Sequence, residues 1–258
     1  MRRVFVAALA ALALMVPAAR AGAAEVRVMI SGGFSAALRD LGPAFERSTG
    51  NTLAVVAGPS MGTTPQAIPN RLARGERADV VIMVGYALDD LIKKGVVSPS
   101  GRVDLARSSI AMAVRAGASK PDIGTVDAFK AALLNAQSIA YSDSASGVYL
   151  QNELFPRLGI YDAIKAKSKM IPAEPVGQVV ARGEAQIGFQ QLSELLPVSG
   201  IQIVGLIPPA TQRITVFAGG VVANADHPEA ARALLAFLSS PSAAPAIEKT
   251  GLEPVAQR

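Results

Sequence analysis

The fold is decided by residues 26–57, which read VRVMISGGFSAALRDLGPAFERSTGNTLAVVA. The apolar run VRVMIS is followed by four apolar side chains at helical spacing, Phe34, Leu38, Leu41 and Phe45, before the chain reaches Gly50. A second apolar run, LAVVA, comes next. This pattern predicts a strand, an amphipathic helix and a second strand, and such a unit pairs its strands in parallel through a right-handed crossover.

The same rhythm continues along the chain. Further strand candidates are DVVIMV, SIAMAV, SIAY, AQIGF, IQIVGL and ITVFAGGVV, several of them apolar at consecutive positions, as in strands that are covered on both faces. About eight strands, and a change of pattern at RVDLARSSIAMAV, favour two sheets over one. We therefore predict an α/β fold of two lobes with parallel or mixed sheets and a cleft between them. Residues 24–106 and 220–258 form lobe 1 and residues 107–219 form lobe 2.

The first 23 residues are typical of an export signal. Arg2 and Arg3 are followed by the thirteen apolar residues 4–16, and small residues at 19–21 or 21–23 offer a cleavage site. Thirteen residues are too few to cross a bilayer, which needs about twenty. A short membrane anchor is the alternative. We expect a periplasmic mature chain that is not inserted in the membrane.

Composition excludes several classes of function. Without the signal the chain keeps 22 basic and 20 acidic residues, with no basic run and few aromatics, so a nucleic-acid partner is not expected. Cysteine is absent, which removes disulfides, thiolate nucleophiles and zinc clusters. The single histidine, His227, precedes Pro228 where a helix should start. No metal and no cofactor are expected.

Small polar loops follow most of the predicted strands. In open α/β sheets ligands bind beyond the carboxyl ends of the strands. A Gly/Ser loop that opens a helix presents free N–H groups and the positive end of the helix dipole, which suits an anion. Serine and glycine also serve as caps and turns without any ligand. Because several such loops occur at the same strand ends, we expect a shared cleft. The loops lie at 31–33, 58–62, 85–86, 142–147, 174–177 and 190–191.

The ligand is expected to be a small polyanion held mainly by neutral donors. Hydrogen bonds to charged groups contribute about 1.5–3 kcal/mol each, so several can outweigh the desolvation of the ligand. Arg107, at the expected crossing between lobes, and Arg71 could add positive charge. Both can equally be read as ordinary surface arginines.

The residues also resemble a known family. VRVMISGGFSAALRDLGPAFERSTG, AGPSMG, ARGERADVVIMVGYALDDLIKKGVV, VARGEAQIGFQQLSE and HPEAARALLAFLSSP are similar to periplasmic solute-binding proteins of the molybdate-binding type, and the similarity spans the mature chain. The resemblance implies the type II periplasmic-binding-protein fold, closing on an anion. Together with the loops, it gives these expected ligand-binding residues: Ser31, Gly32, Gly33, Ser60, Met61, Ser144, Ser146, Gly147, Val176, Gly177, Gln190, Gln191 and Arg107.

One position departs from the molybdate pattern. Molybdate binders typically carry a tyrosine where this chain has Gln191, and amides suit carboxylates. The pattern GPSMG…YSDSASGVY…GFQQLSELLP resembles a branch of the family that includes a periplasmic aconitate isomerase. That resemblance implies interconversion of trans- and cis-aconitate, a tricarboxylate, by a 1,3 proton shift. The alternative is the substrate-binding component of an ABC transporter, delivering molybdate or another oxyanion or carboxylate to its permease.

Such an isomerase needs a base at the cleft with a pKa near the working pH. Four side chains beside the loops qualify: Asp143, Tyr149, Glu174 and Glu194. Each also has an ordinary structural explanation, as a turn residue, a packed aromatic, a loop residue or a helix surface residue. We select Tyr149 as the expected catalytic residue because it follows Gly147.

Overall fold

The structure, a computed structural model, describes residues 23–255. All but the last residue of the expected export signal lies outside them. The strands are β1 (Glu25–Ile30), β2 (Thr52–Ala57), β3 (Val80–Val84), β4 (Val103–Ser108), β5 (Ile110–Arg115), β6 (Ile139–Ser142), β7 (Ser168–Ile171), β8 (Ile187–Gln191), β9 (Ile201–Leu206), β10 (Thr215–Val221) and β11 (Glu253–Pro254). The α-helices are α1 (Gly32–Thr49), α2 (Ile68–Ala73), α3 (Gly85–Lys93), α4 (Val126–Asn135), α5 (Ala145–Tyr149), α6 (Phe155–Arg157), α7 (Tyr161–Ile164), α8 (Val176–Ala181), α9 (Leu192–Leu195), α10 (Pro228–Leu238) and α11 (Ala244–Lys249). A π-helical turn, Leu150–Leu154, joins α5 to α6.

The strands form two mixed sheets. The first has the order β11-β4-β10-β3-β1-β2, in which β1 is parallel to β2 and β3 while β10 is antiparallel to β3 and β4. The second has the order β7-β6-β8-β5-β9, in which β6 is parallel to β7 and β8 while β5 is antiparallel to β8 and β9. The prediction of two sheets in an α/β fold is confirmed.

The opening strand–helix–strand unit forms as its sequence indicates. Helix α1 buries Phe34, Leu38 and Phe45 against the first sheet and ends where Gly50 takes the left-handed conformation with φ 77°. That conformation is cheap only for glycine, which is why the helix stops there. Helix α10 packs on the same layer through Leu235, which lies over Gly219 of β10. Each lobe therefore has its own core, and Phe129, Phe155 and Phe189 are central to that of the second.

The chain passes between the sheets twice, and the two passages are bonded side by side. Strand β4 ends in the first sheet at Ser108 and β5 begins the second at Ile110, so the outward passage is a single residue. On the return, the Gln212 side chain accepts from the Ile110 N–H at 2.8 Å and donates to the Ile110 carbonyl at 3.0 Å. One amide thus joins both connecting segments.

Strand pairing bears on where the lobes divide. Thr215 to Gly219 pair with β4 and β3 in the first sheet, although the sequence-based division assigned them to lobe 2. Arg107 is likewise in the first sheet. We propose that lobe 2 spans residues 109–214. Within residues 23–255 no helix combines the length and the apolar character that crossing a membrane requires.

Candidate ligand cleft

A cavity of about 240 Å³ lies between the two lobes, at the carboxyl ends of β1, β2, β6 and β8. The lobes touch each other around it. Ser193 Oγ donates to the Gly33 carbonyl at 2.8 Å, and a Cβ placed on Gly62 would lie 3.1 Å from Asp143 Oδ2. Low-dielectric protein on both sides strengthens polar interactions inside such a cleft.

Six of the expected ligand-binding residues line this cavity. They come from three segments, one in lobe 1 and two in lobe 2: Ser31, Gly32, Ser144, Ser146, Gln190 and Gln191. Gly32 is the first residue of α1, whose leading N–H groups have no partner inside the helix. The cavity therefore gathers hydroxyl, amide and backbone donors, as an anion site requires.

Ser60 and Met61 do not line the cavity. The Ser60 side chain is fully buried, and its Oγ accepts a hydrogen bond from the Val84 N–H at 3.0 Å. This bond ties the AGPSMG loop to the end of β3. The Met61 sulfur accepts from the Tyr86 hydroxyl at 3.5 Å. Both residues shape the loop whose neighbours Gly58 and Pro59 do reach the cavity.

Three glycines on the expected site serve packing instead. A Cβ on Gly33 would collide with the Phe217 ring, and one on Gly147 would collide with the Ser142 backbone. A Cβ on Gly177 would crowd the side chains of Val198 and Ile201. These glycines let the cavity-lining elements approach one another closely. None of the three lines the cavity.

The arginines also lie elsewhere. Arg107 is exposed on β4, with its guanidinium 3.7 Å from Glu253. Arg71 pairs with Glu76 at 2.7 Å and donates to the Gln66 carbonyl. Among the described residues that line the cavity there is no Lys, Arg or His.

Tyr149 is not brought to the cavity. Its side chain is 3% exposed, and its hydroxyl donates to the Thr211 carbonyl at 2.8 Å while accepting from Arg157 at 3.0 Å. Arg213 stacks 4.2 Å above the ring centroid. A hydroxyl with both functions satisfied and no access to the cleft cannot take a proton from a ligand. Tyr149 therefore holds α5 to the connecting segment, and the selection of Tyr149 as base is corrected.

Glu194, at the start of α9, is the carboxyl that meets the cavity with suitable chemistry. Burial raises the pKa of its carboxyl from 4.5 to about 7, although hydrogen bonds from the Gln190 side chain and the Gln191 N–H lower it in part. A Cβ on Gly32 would collide with Glu194 Oε1, which shows that the carboxyl lies against the start of α1.

The Gln190 side chain, which donates to the Glu194 carboxyl, is itself held by a second hydrogen bond. The Val176 N–H, at the start of α8, donates to Gln190 Oε1 at 2.9 Å. Since that oxygen is occupied by a backbone donor, the amide NH₂ of Gln190 is turned to the Glu194 carboxyl. Val176, expected to contact the ligand, does not line the cavity and contacts the Gln190 side chain instead.

Two further carboxyls reach the cavity. Burial raises the pKa of Asp143, while hydrogen bonds from the backbone N–H groups of Ala173 and of Asp143 itself lower it. Ala173 has φ 53°, a left-handed conformation that costs a non-glycine residue about 1–3 kcal/mol. Glu174, nearer the surface, is paired with Arg182 at 2.6 Å. The cavity lining thus carries acidic groups without a cationic one.

Gln191 is buried and only half satisfied. Its side chain is 2% exposed, its Nε2 donates to Thr215 Oγ1 at 2.9 Å, and its Oε1 has no hydrogen-bond partner among the described residues. A buried acceptor without a donor costs about 1–3 kcal/mol. Thr215 was not predicted, because it sits in an apolar strand pattern that carries no signal of a site. The same is true of Phe217, whose ring lines the cavity.

Two lobes that close on a polar cleft define the type II solute-binding architecture. The chain belongs to the bacterial extracellular solute-binding protein family, whose model matches residues 26–253. The family resemblance and the fold expected from the sequence are both confirmed.

Individual relatives differ in what their names state. An aconitate isomerase from Pseudomonas sp is 61% identical over 228 residues, which are 88% of this chain and 87% of that protein. The molybdate-binding protein ModA of Azotobacter vinelandii is 28% identical over 253 residues, 91% of this chain and 92% of that one. Among solved structures, the periplasmic molybdate-binding protein of the same organism matches with a TM-score of 0.72 at 20% identity, covering 91% of this chain and 100% of that chain.

Proposed function

We propose that this protein is a periplasmic aconitate isomerase, which interconverts trans- and cis-aconitate by a 1,3 proton shift. The observation that carries the chemistry is Glu194, a hydrogen-bonded carboxyl that lines the cleft and whose pKa burial raises to about 7. The 61% identity to an aconitate isomerase supports the choice of substrate. The expected export signal supports the periplasmic location.

In the proposed reaction Glu194 acts as both base and acid. Its carboxylate takes a proton from the methylene carbon of trans-aconitate, and the C–H electron pair enters conjugation with the double bond and a carboxyl group. The resulting dienolate is protonated by the same Glu194 at the other allylic carbon, so the double bond has moved and no net proton or electron is consumed. A base whose pKa lies near the working pH serves both steps.

The surrounding donors stabilise the charge that develops on the substrate. Ser31, Ser144 and Ser146 present hydroxyl groups from both lobes, and the N–H of Gly32 begins α1. Preorganised donors in a closed site are effective because they need no reorganisation as charge shifts. Gln190 holds the Glu194 carboxyl on the cleft side of α9.

The remaining carboxyls fit the role of base less well. Glu174 is held in an ion pair with Arg182 and lies partly in solvent. Burial raises the pKa of Asp143 as well, but two backbone hydrogen bonds, from Ala173 and from Asp143 itself, already occupy its carboxyl and oppose that rise. Glu174→Gln therefore provides a matched control: it removes one carboxyl of the cleft rim without touching the proposed base.

The test is conversion of trans-aconitate by the purified mature chain, followed by chromatography and by proton NMR in D₂O. We expect cis-aconitate to accumulate to equilibrium, with solvent deuterium entering the carbon skeleton whenever the proton on Glu194 exchanges with solvent. Glu174→Gln should keep most of this activity, and Glu194→Gln should lose it. Absence of conversion by the wild-type protein would refute the proposal.

A transport function is the second candidate, because the family binds solutes and ModA is a relative. In that case the cleft would deliver an oxyanion or carboxylate to an ABC permease, and no base would be needed. A protein that is thermally stabilised by molybdate, yet leaves trans-aconitate unchanged, would favour this function.

A further inference from the structure

The cleft presents an electrostatic difficulty for a ligand with three carboxylates. Asp143, Glu174 and Glu194 reach its lining, and no cationic side chain does so among the described residues. The arginines that contact residues of the lining are paired with carboxylates: Arg182 with Glu174, and Arg71, which donates to the Gln66 carbonyl, with Glu76. Like charges in a closed site disfavour one another's ionised forms.

The elements packed on α9 supply no compensating charge. Helix α8 and strand β8 carry no ionisable side chain, and strand β5 carries only Arg115, at its far end. Helix α1 carries charge only from Arg39 onward, beyond its second turn, and those side chains point largely to solvent. Glu194 is therefore faced by Gln190, Gln191 and Gly32, all neutral.

A second observation points to a proton on the ligand itself. Gln191 Oε1 is buried at the cleft and lacks a donor among residues 23–255. A carboxylate cannot satisfy this oxygen, because a carboxylate only accepts hydrogen bonds. A protonated carboxyl can, because its O–H donates.

We propose that the cleft takes up its tricarboxylate together with one proton, so that a neutral carboxyl of the ligand donates to Gln191 Oε1. This inference rests on the proposed tricarboxylate ligand. A neutral carboxyl on the ligand also favours proton abstraction. The negative charge that forms when the C–H proton is removed then spreads onto a neutral carboxyl and not onto a group that is already an anion. Thr215, bonded to Gln191 Nε2, then positions the acceptor.

The pH dependence of kcat/KM distinguishes a ligand that enters with a proton from a ligand that enters fully ionised. If the ligand brings no proton, kcat/KM should rise as pH increases through about 7, because Glu194 must be ionised in the free protein. If a proton enters with the ligand, protonated protein and fully ionised ligand form the same reactive complex as ionised protein and singly protonated ligand. In that case kcat/KM is level between the highest pKa of the ligand and about pH 7, and it falls about tenfold per pH unit above pH 7.

Binding is tested with tricarballylate, a saturated tricarboxylate that cannot isomerise. Calorimetric titration at pH 8 in two buffers of different ionisation enthalpy should report uptake of about one proton, and Kd should rise about tenfold from pH 8 to pH 9. No uptake, with the same Kd at both pH values, would overturn the proposal and would indicate that Gln191 presents its NH₂ to the ligand.

Two variants locate the proton. Glu194→Gln should bind tricarballylate about tenfold more tightly than wild type at pH 8, because a like charge is removed, and should retain the proton uptake. Loss of uptake in this variant would overturn the assignment of the proton to the ligand. Gln191→Met, which keeps the volume and removes the acceptor, should weaken binding about tenfold at pH 8 and reduce the uptake; unchanged binding and uptake would overturn the role of Gln191.

These outcomes are independent of the proposed activity. A protein that binds tricarballylate with proton uptake but leaves trans-aconitate unchanged refutes the isomerase and retains this inference. A protein that isomerises aconitate without proton uptake does the reverse. A single cooperative unfolding transition in each variant, with Glu194→Gln melting no lower than wild type and Gln191→Met melting within a few degrees of it, establishes that folded proteins are being compared.

Discussion

Glu194→Gln should make the protein more stable and, at the same time, inactive. Folding raises the pKa of the Glu194 carboxyl from 4.5 to about 7. That difference corresponds to a free-energy cost of about 3.4 kcal/mol for the charged form in the folded state. Because the side chain is only partly buried, we use about 2 kcal/mol for this cost. Glutamine has nearly the same shape and never ionises, so the variant does not bear this cost.

The sign follows from the direction of the pKa shift. A carboxyl whose folded pKa is raised favours the folded state below the unfolded pKa, and this advantage is lost as pH rises through the folded pKa. Wild type and variant should therefore be about equally stable near pH 4.5. At pH 8 the variant should be more stable by about 2 kcal/mol, which is a higher Tm by about 4–8 °C for a domain of this size.

Urea unfolding of both proteins at pH 4.5, 6 and 8 measures the free-energy difference, and turnover of trans-aconitate measures the loss of catalysis. Removing a general base typically costs about 10²–10⁴-fold in rate. A stability difference that does not change with pH would refute the conclusion that folding raises the pKa of the Glu194 carboxyl. Retained turnover would refute its role as base even if the stability result holds.

Three other substitutions separate packing from ligand binding, each measured by urea unfolding beside a turnover assay. Gly33→Ala should lower the free energy of unfolding by about 1–3 kcal/mol, because its Cβ would enter the Phe217 ring; wild-type stability would contradict this close packing. Tyr149→Phe should lose about 1–2 kcal/mol of stability with kcat unchanged, since only structural hydrogen bonds are removed; a large fall in kcat at intact stability would restore Tyr149 as a catalytic candidate. Ser60→Ala should cost about 1–3 kcal/mol by leaving the Val84 N–H without a partner, with KM nearly constant; a raised KM without destabilisation would place Ser60 at the ligand.

The sequence was most informative where one local pattern decides one element. The α1 segment shows both its buried face and its end at Gly50, and α10 begins at Pro228 as predicted. Eight strand candidates all became strands. The strands that were missed, β4, β7 and β11, are short or carry charged residues, so their apolar pattern is weak.

The site was harder to predict, because a loop position does not determine where its side chains point. Ser31 and Ser60 occupy similar places after neighbouring strands, yet only Ser31 faces the cavity. Ser60 is turned inward by the Val84 N–H, a partner 24 residues away in sequence. Glu194 looked like a helix surface residue, and only the closure of α9 against α1 gives it a buried face. Such contacts between lobes have no local signature.

The amide of Gln212 has a mechanical consequence. By bonding both backbone groups of Ile110, it fastens the outgoing and returning segments into a narrow two-stranded strap. Two segments fastened side by side resist twisting of one lobe against the other more than bending. We expect any hinge motion to follow that bend, which would bring Ser193 back to the Gly33 carbonyl and Glu194 back to the start of α1 in the same register.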